Sequence, residues 1–218
     1  AAAPHGLHLA VDLAADPAIG GMIATNTGGS RVLRYGPMRQ QLLAAEVVAA
    51  DDDASLVGSP HGLRKDSRGI DPVQLAVGSG GTLGVIAAAT VALRPLPPAT
   101  ATWWLAVAPD VDPLAIYGLL DQRRPSTLSA FEYVSAAALG HTIDAGHLNP
   151  FGDGIPAIAL LVEWSGDEVA LDDLEADVAA AFDAGLVTDG RLVEPAAGWR
   201  LRHDVTESLR RLGTVAGH

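Results

Sequence analysis

Residues 19–36 read IGGMIATNTGGSRVLRYG, in which two glycine pairs bracket a short stretch of apolar and polar residues. Glycine allows positive φ angles and lets a ligand approach the backbone N–H groups closely. Hydroxyl and amide groups lie beside the second glycine pair, on Thr25, Asn26, Thr27 and Ser30. The residues alone leave two interpretations open, a ligand-binding loop or a glycine-rich turn between structural elements.

A second glycine-rich segment, residues 78–86, reads GSGGTLGVI and follows residues 74–77, whose pattern predicts a strand. A Rossmann fingerprint requires a helix to begin at the last glycine, so that the helix N-terminus faces a pyrophosphate. Here the β-type residues 85–91 follow instead, the glycine spacing differs from GxGxxG, and no P-loop lysine is present. Both the Rossmann and the P-loop interpretations therefore fail.

The third notable segment, residues 199–207, reads WRLRHDVTE and belongs to a helix that we predict over residues 195–212. Arg202 and Thr206 are four residues apart, so they are neighbours on one helix face, close to Trp199 and Leu209. A guanidinium beside a hydroxyl can bind a carboxylate through charge-assisted hydrogen bonds. The alternative interpretation is the solvated polar face of an amphipathic helix.

Composition excludes several classes of protein. The 218 residues include 14 Lys and Arg against 26 Asp and Glu, a net charge of -12 that argues against nucleic-acid partners. The chain has no cysteine, which rules out disulfides and thiolate sites and fits the cytoplasmic location that we expect. Its apolar runs are shorter than the roughly 20 residues of a membrane span, so we predict no transmembrane segment. The first residues lack the basic start and apolar core of a signal peptide.

The chain divides at residues 93–98, which read LRPLPP, because this density of prolines cannot lie inside a helix or a central strand. Periodicity predicts an α+β fold with an antiparallel-compatible arrangement. The predicted strands are residues 41–50, 75–77, 85–93, 102–108 (half-buried), 157–163 and a short strand from 186. The predicted helices are residues 112–121 with Asp112 as N-cap, 167–184 and 195–212.

The three glycine- and charge-rich segments resemble a known family when they are taken in order. Residues 24–36, 64–71 (RKDSRGID) and 78–86 are similar to ATN-x-GG-x-R-x-x-RYG, RKD-x-x-G-x-D and GSEGTLGI. These motifs are typical of the FAD-linked D-2-hydroxyacid dehydrogenases and oxidases (D-lactate dehydrogenase, glycolate oxidase flavin subunit, D-2-hydroxyglutarate dehydrogenase), which are vanillyl-alcohol-oxidase-type flavoproteins. Residues 128–133 (LSAFEY) resemble the opening of their substrate domain, and residues 199–207 resemble their W-x-LR-x-x-x-TE helix.

The resemblance implies that residues 1–98 are the second half of an FAD-binding domain and that residues 99–218 are part of an α+β substrate (cap) domain with an antiparallel sheet. It implies FAD as the cofactor. The cofactor-binding candidates carried over by position are Thr25, Asn26, Gly28, Gly29, Gly81, Thr82, Gly84, Val85 and Ile86. The implied substrate-binding residues are Arg202 and Thr206, which would bind the carboxylate of the substrate.

The activity implied by the resemblance is oxidation of a D-2-hydroxyacid, of the lactate, glycolate or 2-hydroxyglutarate type, by hydride transfer to flavin. The partner is then a small-molecule hydroxyacid, while the electron acceptor and a homodimeric assembly stay open. The alternative functions are a non-catalytic flavin-binding accessory subunit and a structural module with degenerate loops.

The chain also departs from the family pattern. Gly80 stands where the family has Glu, and Gly217 falls about where some relatives have a substrate-binding Lys. The family's first FAD subdomain is expected before residue 1, and its divalent-metal motif and catalytic His after residue 218. His141 and His147, which we predict in a surface loop, form no convincing ligand pair. We therefore assign no catalytic residue and no metal ligand in this chain, and we expect the chain by itself to be inactive.

Overall fold

The computed structural model describes residues 2–13, 16–63, 65, 67, 69–167, 172–211 and 213. The chain forms two compact units, Ala1–Leu96 and Pro97–His218. The division falls inside the proline-rich segment, where the prolines provide no backbone N–H to continue a sheet or helix. In the described part of the chain, no helix combines the length and the apolar character that a membrane crossing requires.

The first unit, residues 1–96, is built from short elements. Its strands are β1 (Leu7–His8), β2 (Leu42–Ala49), β3 (Leu56–Gly58), β4 (Gly84–Val91) and β5 (Arg94–Pro95). Its helices are α1 (Ile19–Ala24), α2 (Val32–Tyr35), α3 (Met38–Gln41) and α4 (Val73–Ala76). β1 pairs antiparallel with β5, and a three-stranded antiparallel sheet has the order β3-β2-β4. The strands predicted at 41–50 and 85–93 correspond to β2 and β4.

The core of the first unit lies between the three-stranded sheet and helices α1, α3 and α4. Its buried members are Met22, Ile23, Met38, Leu42, Ala45, Val73 and Val77. Helix α1 packs against β4 at Gly20, where a Cβ atom would lie 3.0 Å from the carbonyl oxygen of Ile86. Glycine at this position therefore permits the close approach of helix and strand.

The strand predicted at residues 75–77 is wrong, because residues 73–76 form the short helix α4. Asp71 initiates the turn, since its Oδ1 accepts a hydrogen bond from the N–H of Val73 at 3.0 Å. Val73 and Ala76 face the core while Leu75 is exposed. Three apolar residues in a row do not distinguish a strand from one helical turn, and here the preceding Asp-Pro pair decides the conformation.

The second unit, residues 97–218, is a four-stranded antiparallel sheet with helices on both faces. Its strands are β6 (Ala99–Val107), β7 (Leu128–Ser135), β8 (Ile158–Gly166) and β9 (Val187–Val193), in the order β7-β8-β6-β9. Its helices are α5 (Pro113–Arg123), α6 (Ala136–Asp144), α7 (Leu174–Asp183) and α8 (Pro195–Arg211). α5 and α7 cover one face of the sheet, and α6 and α8 cover the other. Every strand pair in the described residues is antiparallel, in agreement with the predicted α+β class.

Strand β6 is buried on both faces, so the half-buried strand predicted at 102–108 is wrong in this respect. Trp103 packs with the α5 and α7 helices on one face, and Trp104 packs with α8 on the other. A central strand covered by helices on both sides loses the alternation of apolar and polar residues. Here the helices that cover the sheet, and not the strand itself, determine its burial.

The predicted helices are confirmed with two corrections. Asp112 caps α5 as predicted, since its Oδ1 accepts from the N–H of Leu114 at 2.9 Å. The helix predicted from residue 167 begins only at Leu174, after Asp173 in the left-handed region at φ 57; residues 168–171 lie outside the described residues. His141 lies in α6 and not in the predicted loop, because Ser135 caps a helix whose residues Leu139 and Thr142 are buried.

Candidate functional site

The first glycine-rich segment turns sharply at the end of α1. Thr25 Oγ1 donates to the carbonyl of Gly21 at 2.9 Å and lies 2.8 Å from the hydroxyl of Thr27. Asn26 has a left-handed backbone, with φ 50, and its Oδ1 accepts from the N–H of Arg39 at 2.9 Å. The side chains of Thr25 and Asn26 thus hold the loop itself in shape.

Gly28 and Gly29 both lie close to other atoms of the chain. At Gly29, φ is +72 and a Cβ atom would lie 2.7 Å from the carbonyl oxygen of Asp12, so glycine is required there. At Gly28, a Cβ atom would lie 3.1 Å from a methyl group of Val32, a tight contact that a small shift of Val32 could relieve. At both positions the close approach is made by protein atoms.

The structure brings together the two glycine-rich segments, residues 19–36 and residues 78–86. The N–H of Gly78 donates to the carbonyl of Ile23 at 3.1 Å, and the N–H of Gly80 donates to that of Ala24 at 2.8 Å. These bonds place residues 78–83 beside Thr25 and Asn26. The two segments share one edge of the first unit, although residues 37–77 separate them in the sequence.

The turn at Gly80, Gly81 and Thr82 is open to solvent. Gly80 and Gly81 have φ values of +64 and +82, and a Cβ atom at either position would meet no atom within 4 Å. The Thr82 hydroxyl donates to the carbonyl of Ser79 at 2.8 Å. In contrast to Gly28 and Gly29, these glycines leave open space beside the backbone for a ligand, while their N–H groups donate to Ala24 and Ser79 within the protein. The same positive φ makes Gly80 unfavourable for the Glu of the family motif.

Strand β4 begins at this turn with Gly84, Val85 and Ile86. A Cβ atom on Gly84, at φ +147, would collide with the carbonyl oxygen of Val48 on the neighbouring strand. Val85 points outward and is 69% exposed, while Ile86 packs against the core of the first unit. Of these three candidates, only the Val85 side chain is available to a ligand.

Arg39 connects these segments, and the sequence reasoning missed it. Its Nη1 donates to the carbonyl and the Oε1 of Gln74, at 2.9 and 3.0 Å, and its Nη2 donates to the carbonyl of Val77 at 2.6 Å. Its backbone N–H binds Asn26 at the same time. The only signal in the sequence was its position three residues after Gly36, which says nothing about partners 35 or more residues away.

The remaining predicted motifs are only partly described. Arg64, Asp66 and Arg68 of the second motif, and Gly217, lie outside the described residues. Ile70, at the end of the second motif, is 90% exposed.

Arg202 and Thr206 lie on α8, and their environments differ. Arg202 Nε and Nη2 both bind Oε2 of Glu132, at 3.0 and 2.8 Å, with one third of the Arg202 side chain exposed. Thr206 is exposed. Of the four residues predicted close to one face, Trp199 is buried, together with Leu201 and Ser208, while Arg202 and Leu209 are partly exposed. Arg202 and Thr206 are thus left toward solvent, where a ligand can reach them.

Helix α8 is fixed to the sheet by a buried carboxylate that the sequence reasoning also missed. Glu163 of β8 has no exposed surface, and its Oε2 accepts from the indole N–H of Trp199 at 2.7 Å. Its Oε1 accepts from the hydroxyl of Ser129 on β7 at 2.6 Å. A buried carboxylate requires such donors, because an unpaired one is costly to bury.

Two histidines of the second unit, His147 and His203, take part in contacts within the protein. Nε2 of His147 lies 3.0 Å from Oδ2 of Asp204, and His203 stacks on Trp199 with ring centroids 5.3 Å apart. No group of three or more His, Cys, Asp or Glu side chains within the described residues is arranged to hold a metal ion.

A pocket of about 530 Å³ lies at the start of α8, and its lining includes Trp104, His147, Glu194 and Arg200. Neither Arg202 nor Thr206 lines this pocket. The predicted substrate residues therefore lie on an open part of the helix and not in the pocket.

Comparison with known proteins defines the class to which these features point. A family model described as "FAD binding domain" matches residues 1–54. The turn at residues 78–83 fits such a cofactor, because its open glycines expose backbone beside the hydroxyl-bearing Thr25 and Thr27 loop. The predicted cofactor, FAD, is confirmed by this match.

Proteins similar in sequence over most of the chain indicate a narrower class than the family model does. The chain is 36% identical to D-2-hydroxyglutarate dehydrogenase of Xanthomonas citri pv. viticola over 222 residues, which cover 97% of the chain and 45% of that protein. It is 35% identical over 204 residues to the mitochondrial D-2-hydroxyglutarate dehydrogenase of Rattus norvegicus, with 90% of the chain and 37% of that protein covered. The predicted resemblance to FAD-linked D-2-hydroxyacid dehydrogenases is confirmed. The chain spans less than half the length of these relatives.

A solved structure of alkyldihydroxyacetonephosphate synthase matches the fold. Its TM-score is 0.63 at 17% identity, and the match covers 96% of this chain and 40% of that one. At this identity the likeness concerns the fold alone. It confirms the predicted fold class, a mixed fold of helices and antiparallel sheets.

Proposed function

We propose that this chain is part of an FAD-dependent enzyme that oxidises a D-2-hydroxyacid by hydride transfer to flavin, with D-2-hydroxyglutarate as the first substrate to test. The observation that carries the proposal is the pair Arg202 and Thr206, accessible on α8, within a chain related over nearly its whole length to D-2-hydroxyglutarate dehydrogenases. The name of the relatives supports the substrate class, and the helix provides a suitable chemical group for it.

The proposed role of α8 is to bind the substrate carboxylate. The Arg202 guanidinium supplies charge and directed N–H donors, and the exposed Thr206 hydroxyl lies one helical turn further along. Both groups bind and orient the substrate, and neither accepts the proton of the hydroxyl group. Bound FAD would supply the hydride acceptor.

The proposed role of the first unit is to line FAD. Gly81 and Thr82 would contribute exposed backbone, whose N–H groups donate to Ser79 in the structure, and Val85 an apolar surface, from the exposed turn and the start of β4. The other cofactor-binding candidates would hold this FAD-facing surface in shape, because their contacts are made within the protein. They are Thr25, Asn26, Gly28, Gly29, Gly84 and Ile86. Residues 1–98 are thus proposed as part of an FAD-binding domain, and residues 99–218 as part of a substrate domain.

The cytoplasmic location is also part of the proposal. The absence of cysteine from the chain supports it, although several relatives are named as mitochondrial enzymes. The electron acceptor and a homodimeric assembly are left open by the same evidence.

The test uses the full reading frame that encodes this chain, produced with FAD. Anaerobic addition of D-2-hydroxyglutarate should bleach the oxidised flavin absorbance, and the L-enantiomer should not. D-lactate and glycolate in parallel define the substrate class. Arg202→Met should abolish bleaching at low substrate concentration, whereas the matched variant Arg200→Met, on the same helix, should not.

Two outcomes contradict the proposal in different ways. A protein that binds FAD but is reduced by none of these acids would be a flavin-binding accessory subunit. A protein that binds no FAD would be neither the proposed enzyme nor a flavin-binding accessory subunit, and the flavoprotein hypothesis itself would fail.

A further inference from the structure

Glu132 makes an unusual contact with Arg202 across the second unit. Glu132 lies on β7 and Arg202 on α8, 70 residues later, yet a single carboxylate oxygen, Oε2, accepts from both Nε and Nη2 of the guanidinium. The two distances are 3.0 and 2.8 Å. The side chains of Arg202 and Glu132 are 33% and 25% exposed, so the pair is only partly screened by solvent.

The contact uses only one edge of the guanidinium. An arginine side chain carries five N–H donors in a rigid planar fork. Oε2 of Glu132 occupies the Nε and Nη2 edge, which leaves the outer edge formed by Nη1 and Nη2. That outer edge presents two parallel N–H groups, the arrangement that binds both oxygens of a carboxylate.

The backbone around both residues is held firmly. Glu132 is paired with Leu161 in the β7–β8 ladder, so the strand fixes its position. Trp199, three residues before Arg202, is bound to the buried Glu163, which fixes the rotation of α8. Arg202 is therefore held at its Cα by the helix and at its guanidinium by Glu132.

We infer that Glu132 is a positioning residue for substrate binding: it holds the Arg202 guanidinium so that the Nη1 and Nη2 edge is free and aimed at the carboxylate of the hydroxyacid. The inference rests on the proposed role of Arg202. Ordering a long, flexible side chain before the ligand arrives removes a conformational cost from binding. The negative charge of Glu132 acts against an anionic substrate, so its benefit lies in geometry and not in charge.

The Gln variant separates geometry from charge. Since only Oε2 is used, the amide oxygen of Glu132→Gln can accept the same two hydrogen bonds, whereas Glu132→Ala removes them. The control is Glu207→Ala, which removes the acid of an exposed pair with Arg210 on the same helix.

The experiment measures KM and kcat for D-2-hydroxyglutarate in the full FAD-loaded protein, and Kd for glutarate by calorimetry, because glutarate has no hydroxyl group to oxidise. Glu132→Ala should raise KM and Kd about tenfold, the equivalent of roughly 1.4 kcal/mol, with kcat much less affected. Glu132→Gln should stay near the wild-type values, as should Glu207→Ala. Far-UV circular dichroism and the thermal midpoint report whether each variant is folded.

The outcomes distinguish this inference from the proposed function. If Arg202→Met leaves KM and Kd unchanged, the substrate role of Arg202 is wrong and the inference fails with it. If Arg202→Met raises both values but Glu132→Ala does not, only the positioning role is overturned. Equal weakening by Glu132→Ala and Glu132→Gln would also overturn it, because the ionic attraction between Glu132 and Arg202, and not the geometry of the hydrogen bonds, would then be the cause.

Discussion

The indole N–H of Trp199 donates to Oε2 of Glu163 at 2.7 Å, inside a core where the carboxylate has no exposed surface. Ser129 binds the other carboxylate oxygen, so one buried side chain connects β7, β8 and α8. The helix that carries Arg202 and Thr206 is thereby fixed in rotation against the sheet. A buried network whose members are all satisfied specifies one arrangement of the elements it joins.

Removing the indole donor should destabilise the second unit. Trp199→Phe leaves one oxygen of a buried carboxylate without its partner, a loss of about 1–3 kcal/mol beyond the effect of the smaller side chain. Urea denaturation followed by far-UV circular dichroism measures it. Trp104→Phe is the matched control, because Trp104 lies in the same core cluster and its indole N–H has no partner in the structure. Equal loss in the two variants would mean that the Trp199 hydrogen bond contributes nothing.

Two glycines of the third motif should respond differently to alanine. Gly84→Ala forces a methyl group into the carbonyl of Val48 at φ +147, and we expect a loss of about 2–3 kcal/mol in the free energy of unfolding. Gly81→Ala meets no atom within 4 Å, so only its backbone strain at φ +82 remains, about 1 kcal/mol.

Gly81→Ala also tests the proposed FAD-facing surface of the first unit. In the full protein, Gly81→Ala should weaken FAD binding by more than its small effect on stability accounts for, measured by flavin fluorescence. Unchanged FAD affinity in Gly81→Ala would argue that the turn does not contact the cofactor.

Loss of the Arg39 side chain should destabilise the first unit near its proposed FAD-facing surface. Arg39→Met removes the hydrogen bonds to Gln74 and Val77, and we expect a loss of about 1 kcal/mol in stability together with weaker FAD binding in the full protein. Arg39→Lys keeps the charge but not the fork, so it should recover the affinity only in part. Arg94→Met, at an exposed position of β5, is the control. FAD affinity that is equal in all three variants would contradict this prediction.

The stability of the first unit should depend on His8 at mildly acidic pH. Burial, and then the positive charge of Arg31, lower the pKa of His8 below its ordinary value of 6.5, with Asp12 acting in the opposite direction. The unfolded chain then binds a proton at higher pH than the folded one. The stability is therefore complete above pH 6.5 and is lost as the pH falls from 6.5 toward the lowered pKa.

Unfolding free energies of the wild type and His8→Gln between neutral and mildly acidic pH check this prediction. The wild type should lose more stability than the variant over the acidic part of the range. A titration of the His8 ring by NMR, assigned through its absence in His8→Gln, should also give a pKa below the ordinary value of 6.5. If the pKa of His8 lies above 6.5, the prediction is wrong.

The sequence predicted those helices and strands whose pattern or capping residue lies within the element itself. The strands β2 and β4 are long enough for their β-type pattern to show, and α5 carries its own cap in Asp112. The predictions were wrong where residues distant in the sequence, or too few residues, determine the local structure. The three residues 75–77 are too few for a period, and the burial of β6 depends on helices that are remote in the sequence.

The amino-acid sequence was sufficient to predict the class of the fold, strand β4, the helix that carries Arg202, and the resemblance to FAD-linked dehydrogenases. These follow from residue types at short spacing, because backbone propensity and motif spacing are local properties. The tertiary structure alone decided which side chains meet. Arg39 reaches Gln74, Glu132 reaches Arg202, and Glu163 reaches Trp199, across separations of 35, 70 and 36 residues. Such contacts depend on how strands and helices pack on one another, which no local pattern encodes. The glycine-rich segments were visible from the beginning; the arginine between them, and the glutamate that holds Arg202, became visible only in the folded chain.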